Sequence, residues 1–275
     1  MSIFPTICRP LRDLAAAGVL LVAFADAAAA ADLVPHRATY EMRLNPSRRA
    51  VGVIDVRGLM VMESVDACDA WETKQRIRLT FLRPDTEEFV TDSAFTSFEA
   101  KDGSSMQFSV RNTQNGEVEE ELRGQAEVAQ GGAGRANFTL PEPRSFDLPV
   151  GTTFPMAHLS RLIEHAKVGE KVVAYNVFDG ARLDGAFKVN AVIGKAPRPA
   201  GGPAPKGDVV LLRNQPSWTV RLAFFPADDQ AGQPEYEVSM DLLANGIARS
   251  MVLDYGDFAL DAKLQRIEAL PRPRC

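Results

Sequence analysis

The strongest constraint in this 275-residue chain is a two-residue hydrophobic alternation that recurs along most of its length. In "WETKQRIRLTF", Trp71, Thr73, Gln75, Ile77, Leu79 and Phe81 fall on one face. Glu72, Lys74, Arg76, Arg78 and Thr80 fall on the other. A helix cannot gather that pattern into one stripe. A half-buried strand does, because its successive side chains point to opposite sides. "HRATYEMRL" repeats it, with Ala38, Tyr40, Met42 and Leu44 set against Arg37, Thr39, Glu41 and Arg43. Similar stretches run from "VGVIDVRGLMVME", where Gly58 is expected at a bulge, to "AKLQRIEAL" near the end. Asn115-Gly116 and Asn245-Gly246 predict hairpin turns, since these residues tolerate positive φ. Asp179-Gly180 predicts a further turn.

One segment breaks the rhythm. "LPVGTTFPMAHLSRLIEHAKVGE" predicts a helix near residues 153–168. Thr152 or Thr153 is expected to cap it, Pro155 suits its first turn and Gly169 its end. Met156, Leu159, Leu162, Ile163 and Ala166 recur at helical spacing. "KAPRPAGGPAPKGD", Lys195 to Asp208, is expected to be an exposed loop inside one domain, since strand periodicity resumes after it. The fold class is therefore mainly β, with a dozen or more antiparallel strands, one substantial helix and no βαβ rhythm. A curled sheet, an incomplete barrel and a sandwich all satisfy that pattern, and so many strands in one open sheet tend to curl.

The N-terminus sets an expectation about compartment. Arg9 and Arg12 precede an apolar run from Leu14 to Ala25, and Ala-rich A-x-A sites follow. That is the anatomy of a secretory signal peptide, with cleavage expected after Ala31, give or take a residue. The run has 12 residues, whereas a bilayer core needs about 20. The division expected is residues 1–31 as signal peptide and 32–275 as one domain. Export removes Cys8 and leaves Cys68 and Cys275. In an oxidising compartment such a pair is most economically one disulfide. Two buried free thiols fit poorly at a final residue, and a metal site fits worse, with no His nearby and no C-x-x-C.

Chemistry is sparse. With 31 basic and 36 acidic residues the net charge is -5, a mildly acidic balance without the basic face of a nucleic-acid binder. His158 and His165 lie seven apart on the predicted helix, too far to share one ion, and read as partly exposed helix residues. No G-x-S-x-G occurs, and "GGAGRAN" lacks the residues of a phosphate loop. Asp254 and Asp257 in "DYGDF" suit a turn better than acid–base or Ca²⁺ work. No catalytic, cofactor-binding or metal-binding residue is expected.

Taken in order, "HRATYEMRL", "GTTFPMAHLSRLIEHAKVGE", "VFDG" with "AVIG", "PSWTVRLAFFP", "PEYEVSMDLLANGIARSMVLDYGDF", "RIEAL" and the terminal cysteine resemble the EipB family of periplasmic cell-envelope integrity proteins. The match departs most at the loop Lys195 to Asp208. The resemblance implies a single domain whose antiparallel sheet winds into an open, spiral-like β-barrel. It implies a disulfide at the positions of Cys68 and Cys275, and a role in maintaining the Gram-negative envelope. It brings no enzymatic activity and no cofactor. The expectation is a non-enzymatic periplasmic protein that supports envelope integrity by interacting with an envelope protein or component. The alternatives are a carrier holding a lipid or other hydrophobic ligand inside the curled sheet, and an enzyme on cell-wall glycan or lipid tested first at Asp254, Asp257 and Glu268.

Overall fold

The computed structural model describes residues 31–48, 52–84, 88–129, 132–196, 203–226 and 232–275. The expected signal peptide, apart from Ala31, lies outside the described residues. The first half of the chain is an antiparallel meander. Its strands are β1 (His36–Leu44), β2 (Asp55–Asp66), β3 (Ala70–Leu82), β4 (Phe89–Ala100), β5 (Ser105–Gln114), β6 (Glu117–Val128), β7 (Gly134–Leu140) and β8 (Arg144–Leu148). Helix α1 (Pro155–Lys167) follows. A second meander then runs through β9 (Val172–Val177), β10 (Phe187–Lys195), β12 (Ser217–Phe225), β13 (Tyr236–Leu243), β14 (Ala248–Asp254) and β15 (Ala259–Ala269). The two-residue β11 (Lys206–Gly207) pairs in parallel with β15, where the sequence predicts only loop.

The two meanders are one sheet because β1 pairs with β15, from His36 opposite Ala269 to Leu44 opposite Leu260. The strand order is therefore β8 to β1, then β15 back to β9, which rules out two separate sheets packed as a sandwich. Strands β8 and β9 are the free edges, and a single parallel bridge from Thr153 to Val177 links their neighbourhoods. The result is a curled sheet that stays open.

Alternation places the core. Ala38, Tyr40 and Met42 of β1 are buried while Arg37 and Arg43 are exposed, and Phe187, Val189, Ala191 and Ile193 of β10 alternate likewise with exposed neighbours. Burying each such large side chain contributes about 1.5–3 kcal/mol. Three clusters result. One gathers the central strands around Tyr40, Met60 and Leu260. A second sets Phe108 and Phe138 of the first arm against Phe154 and Phe178. The third packs Leu162, Ile163 and Ala166 of α1 against Val189, Val220 and Leu242 of the second arm, with Trp71 of β3 joining from the first.

Gly58 does not mark a bulge. The register from β1 through β2 to β3 passes Met42, Gly58 and Leu79 without a shift. The physical reason for glycine is close approach: a Cβ at Gly58 would lie 2.0 Å from the Arg78 carbonyl oxygen and 2.8 Å from Leu79 Cδ2. Asn115 and Gly116 do adopt positive φ, 51° and 88°, at the β5–β6 hairpin. At the β13–β14 turn only Gly246 does so, and Asn245 instead donates Nδ2 to the Leu211 carbonyl at 2.8 Å. Gly58→Ala is expected to lower the unfolding free energy by about 2 kcal/mol or more, because strands must part to admit the methyl group. Urea unfolding of the purified variant measures this directly.

Candidate functional site

The start of α1 gathers several buried polar groups, among them Glu99, Thr152 and Thr153. Its N-cap is Phe154, which offers no side-chain acceptor, and Thr152 and Thr153 do not cap it as the sequence predicts. The Thr152 hydroxyl donates to the Pro149 carbonyl at 2.7 Å instead. The orphan amides are met from another strand. Glu99 of β4 accepts from the Met156 amide at 2.8 Å and from the Ala157 amide at 2.7 Å. A carboxylate suits the positive end of a helix. Glu99 is only 1% exposed, and that burial pushes its carboxyl up to about 7, against the pull of the two amides.

Around Glu99 the β2–β3 turn, the end of β4 and the C-terminal tail enclose a cavity of about 290 Å³. Its polar wall includes Asp66, Lys101 and Arg272, and Trp71 supplies an aromatic face. Lys101 Nζ donates to Asp66 Oδ1 at 2.5 Å and lies 5.0 Å from the centre of the Trp71 ring. Burial works to raise the Asp66 carboxyl, but Lys101 and the Cys68 amide hold it below the ordinary value. Arg272 reaches across to Asp32 Oδ1 at 2.9 Å and to the Leu33 carbonyl at 3.3 Å. Mixed charge beside an indole suits a small polar or zwitterionic group.

The rim is tied covalently. Cys68 and Cys275 are joined, with Cα atoms 5.7 Å apart and a sequence separation of 207. Cys68 sits at φ 66°, a left-handed conformation, and Asp66 Oδ1 supports it by accepting the Cys68 amide at 3.0 Å. The tie closes because β15 ends beside the start of β1, which lies next to the end of β2.

A second group lies along α1. His158 is 5% exposed rather than partly exposed, since it faces the interior beside the Tyr175 ring, 5.5 Å between centres. Burial lowers its pKa to about 4, and its Nε2 has no hydrogen-bond partner among the described residues. His165 contacts the Tyr175 hydroxyl through Nε2 at 2.5 Å and Glu170 through Nδ1 at 2.6 Å. The two histidines therefore meet at Tyr175, His158 against its ring and His165 at its hydroxyl. A third feature is a cavity of about 280 Å³ between β8 and the start of β10, lined by Phe146, Asp184 and Phe187.

Asp254, Asp257 and Glu268 are not brought together. Asp254 closes a turn by accepting the Gly256 amide at 3.0 Å and pairs with Arg48 at 3.2 Å. Glu268 lies at the far end of β15, about 30 Å away by strand rise. There its hydrogen bonds with Arg266 and Arg37 hold its carboxyl below the usual range. Glu99, by contrast, was not singled out by its sequence. The available signal is an inverted alternation in "AFTSFEA", where Phe98 is exposed and Glu99 is buried. Among the described residues no cluster of three or more His, Cys, Asp or Glu is placed to hold a metal, and no helix is long and apolar enough to cross a membrane.

Two outcomes are expected. The folded Glu99 keeps a proton between pH 4.5 and about 7 that the unfolded chain has released. Its contribution therefore favours folding at low pH and fades as pH rises towards 7, by roughly 3 kcal/mol at most. His158 acts in the opposite sense, its contribution fading as pH falls below 6.5 towards 4. The stability difference between wild type and Glu99→Gln isolates the first term. It should shrink in favour of the variant from pH 5 to pH 8 in urea titrations. Cys275→Ser should cost a few kcal/mol, with about 5 as the chain-entropy ceiling, in the same assay without reductant.

The fold has known counterparts. A family model described as EipB-like matches residues 27–271. The cell envelope integrity protein EipB of Brucella abortus (strain 2308) is 30% identical over 250 residues, which span 89% of this chain and 87% of that protein. A crystal structure of a beta-barrel-like protein of a domain of unknown function from Brucella abortus superposes with a TM-score of 0.77. It is 30% identical and covers 88% of this chain and 100% of its own. With a family model spanning nearly all the described sheet and a relative matching at that length, the chain belongs to the EipB-like family.

Proposed function

We propose that this chain is exported by a signal peptide cleaved near Ala31, and that it supports the integrity of the cell envelope from the periplasm as a non-enzymatic interaction protein. One observation carries the reading: 30% identity over 250 residues to a protein named for cell envelope integrity. In this reading residues 32–275 act as one unit, and the Cys68–Cys275 tie belongs to its oxidised, working state.

The carrier reading has less support. A lipid would need the space inside the curl, and α1 fills it with Leu162, Ile163 and Ala166 against the second arm. The cavities of about 280 and 290 Å³ suit small ligands rather than acyl chains. An envelope partner has better footing on the free edges. Strand β9 ends the sheet with Val172 exposed, and the part of its edge that precedes the Thr153–Val177 bridge can accept a strand from another chain.

Deletion of the gene should sensitise cells to detergent and other envelope stress, with plating restored by the wild-type copy. Photo-crosslinking from position 172 or 174 on β9 should capture an envelope component in the periplasm. Unchanged plating together with no crosslinked species would contradict the reading.

A further inference from the structure

We infer that the mature protein begins at Ala31, and that its α-ammonium group is received by a niche on α1 formed by Glu164 and Ser160. The inference rests on the export reading and sharpens it to one bond. The backbone nitrogen of Ala31 lies 3.1 Å from Glu164 Oε1 and 3.2 Å from Ser160 Oγ. The Ser160 hydroxyl in turn donates to the same Glu164 oxygen at 3.3 Å. Ser160 and Glu164 stand one turn apart on α1, so both face the same point. A peptide nitrogen has one hydrogen and must share it between these two acceptors. An α-ammonium has three hydrogens and a positive charge. It satisfies both acceptors at once and neutralises the carboxylate. Glu164 also belongs to the last turn of α1, where the helix dipole favours a cation.

The side chains on either side agree. Ala31 is 9% exposed and packs with Leu33, Trp71, Met156 and Leu162. Asp32, one residue on, has a side chain 83% exposed and pairs with Arg272 of the C-terminal tail at 2.9 Å. Ala31 is thus a small plug seated in the interior. Cleavage after Ala31 would discard the plug and leave the half-buried Glu164 and Ser160 without this partner. A start at Ala30 would carry the charge about 3.5 Å further along the chain, past the niche.

The leader's own code does not choose among these bonds. Residues 27–31 are all alanine, so cleavage before Ala30, Ala31 or Asp32 each presents small residues at the two positions a leader peptidase reads. The niche on α1 is what distinguishes them. Hydrolysis of the Ala30–Ala31 bond adds one water: the leader takes its oxygen as the new carboxylate, and the Ala31 nitrogen takes both its hydrogens and becomes an ammonium.

The test isolates the protein from the periplasm and reads its N-terminus by intact mass and terminal peptide sequencing. A chain starting at Ala31 is expected. A start at Ala30 or Asp32 would overturn the inference while leaving export in place. A chain still carrying its leader would overturn the export reading and this inference with it. A second readout tests the niche. An amine acylating reagent at neutral pH should label the Ala31 amine about tenfold more slowly in the folded protein than in urea, since an ion pair at this depth raises an amine's pKa by about one unit. Glu164→Gln should restore most of the lost rate, and Glu119→Gln, at an exposed position on β6, should not. Equal labelling of folded wild type and Glu164→Gln would remove the niche.

Discussion

The pairing of β1 with β15 is the interaction on which the rest of the structure depends. Each meander is locally simple, with its strands paired in sequence order apart from the two-residue β11, which pairs with β15. Only this seam joins residues about 220 apart, as in Tyr40 opposite Leu264. It places both ends of the described chain at the middle of the sheet, so the arms grow outward and curl towards each other. It also brings the tail after Ala269 within reach of the β2–β3 turn, which is why Cys275 can be joined to Cys68. Closing such long loops is entropically costly. The seam offsets that cost with a ladder of hydrogen bonds over the buried Ala38, Tyr40, Met42, Leu260 and Ala262.

Helix α1 converts the curl into a filled body. Its apolar face packs on the second arm, while its first amides are held by Glu99 from the first. A buried carboxylate is a poor stabiliser by itself, but here it specifies where the helix starts and how the arms are set across it. The N-terminal arm, the C-terminal tail and the disulfide all meet at that end. The interior's polar chemistry is therefore concentrated beside the chain termini, and the apolar packing lies further along the helix.

How much of this was legible follows from the range of each interaction. Strand after strand could be read because alternation is local, as in Ala38, Tyr40 and Met42. The Asn115-Gly116 turn was legible for the same reason, since its positive φ angles are a property of two adjacent residues. Helix α1 was legible from its spacing, and Gly169 ends it at φ 82°. Its cap was not, because Glu99 is 57 residues away from Met156 and two nearer threonines satisfied the local rule. The role of Gly58 depends on the Arg78 carbonyl of the next strand. The burial of His158 depends on Tyr175, which reaches it only once β9 packs on the helix. Asp254 and Glu268 carried the right chemistry, but Asp254 ends β14 beside the start of β15 while Glu268 lies near the end of β15, and strand length keeps them apart.

Native-state hydrogen exchange of the amides in β1 and β15 tests most directly the claim that the seam makes one body of two meanders. These amides are expected to be among the slowest to exchange and to open only with the free energy of global unfolding. Exchange at the seam that runs faster than exchange within the β2–β3 or β12–β13 ladders would contradict it. The arms would then be separable units held together only by α1 and the disulfide.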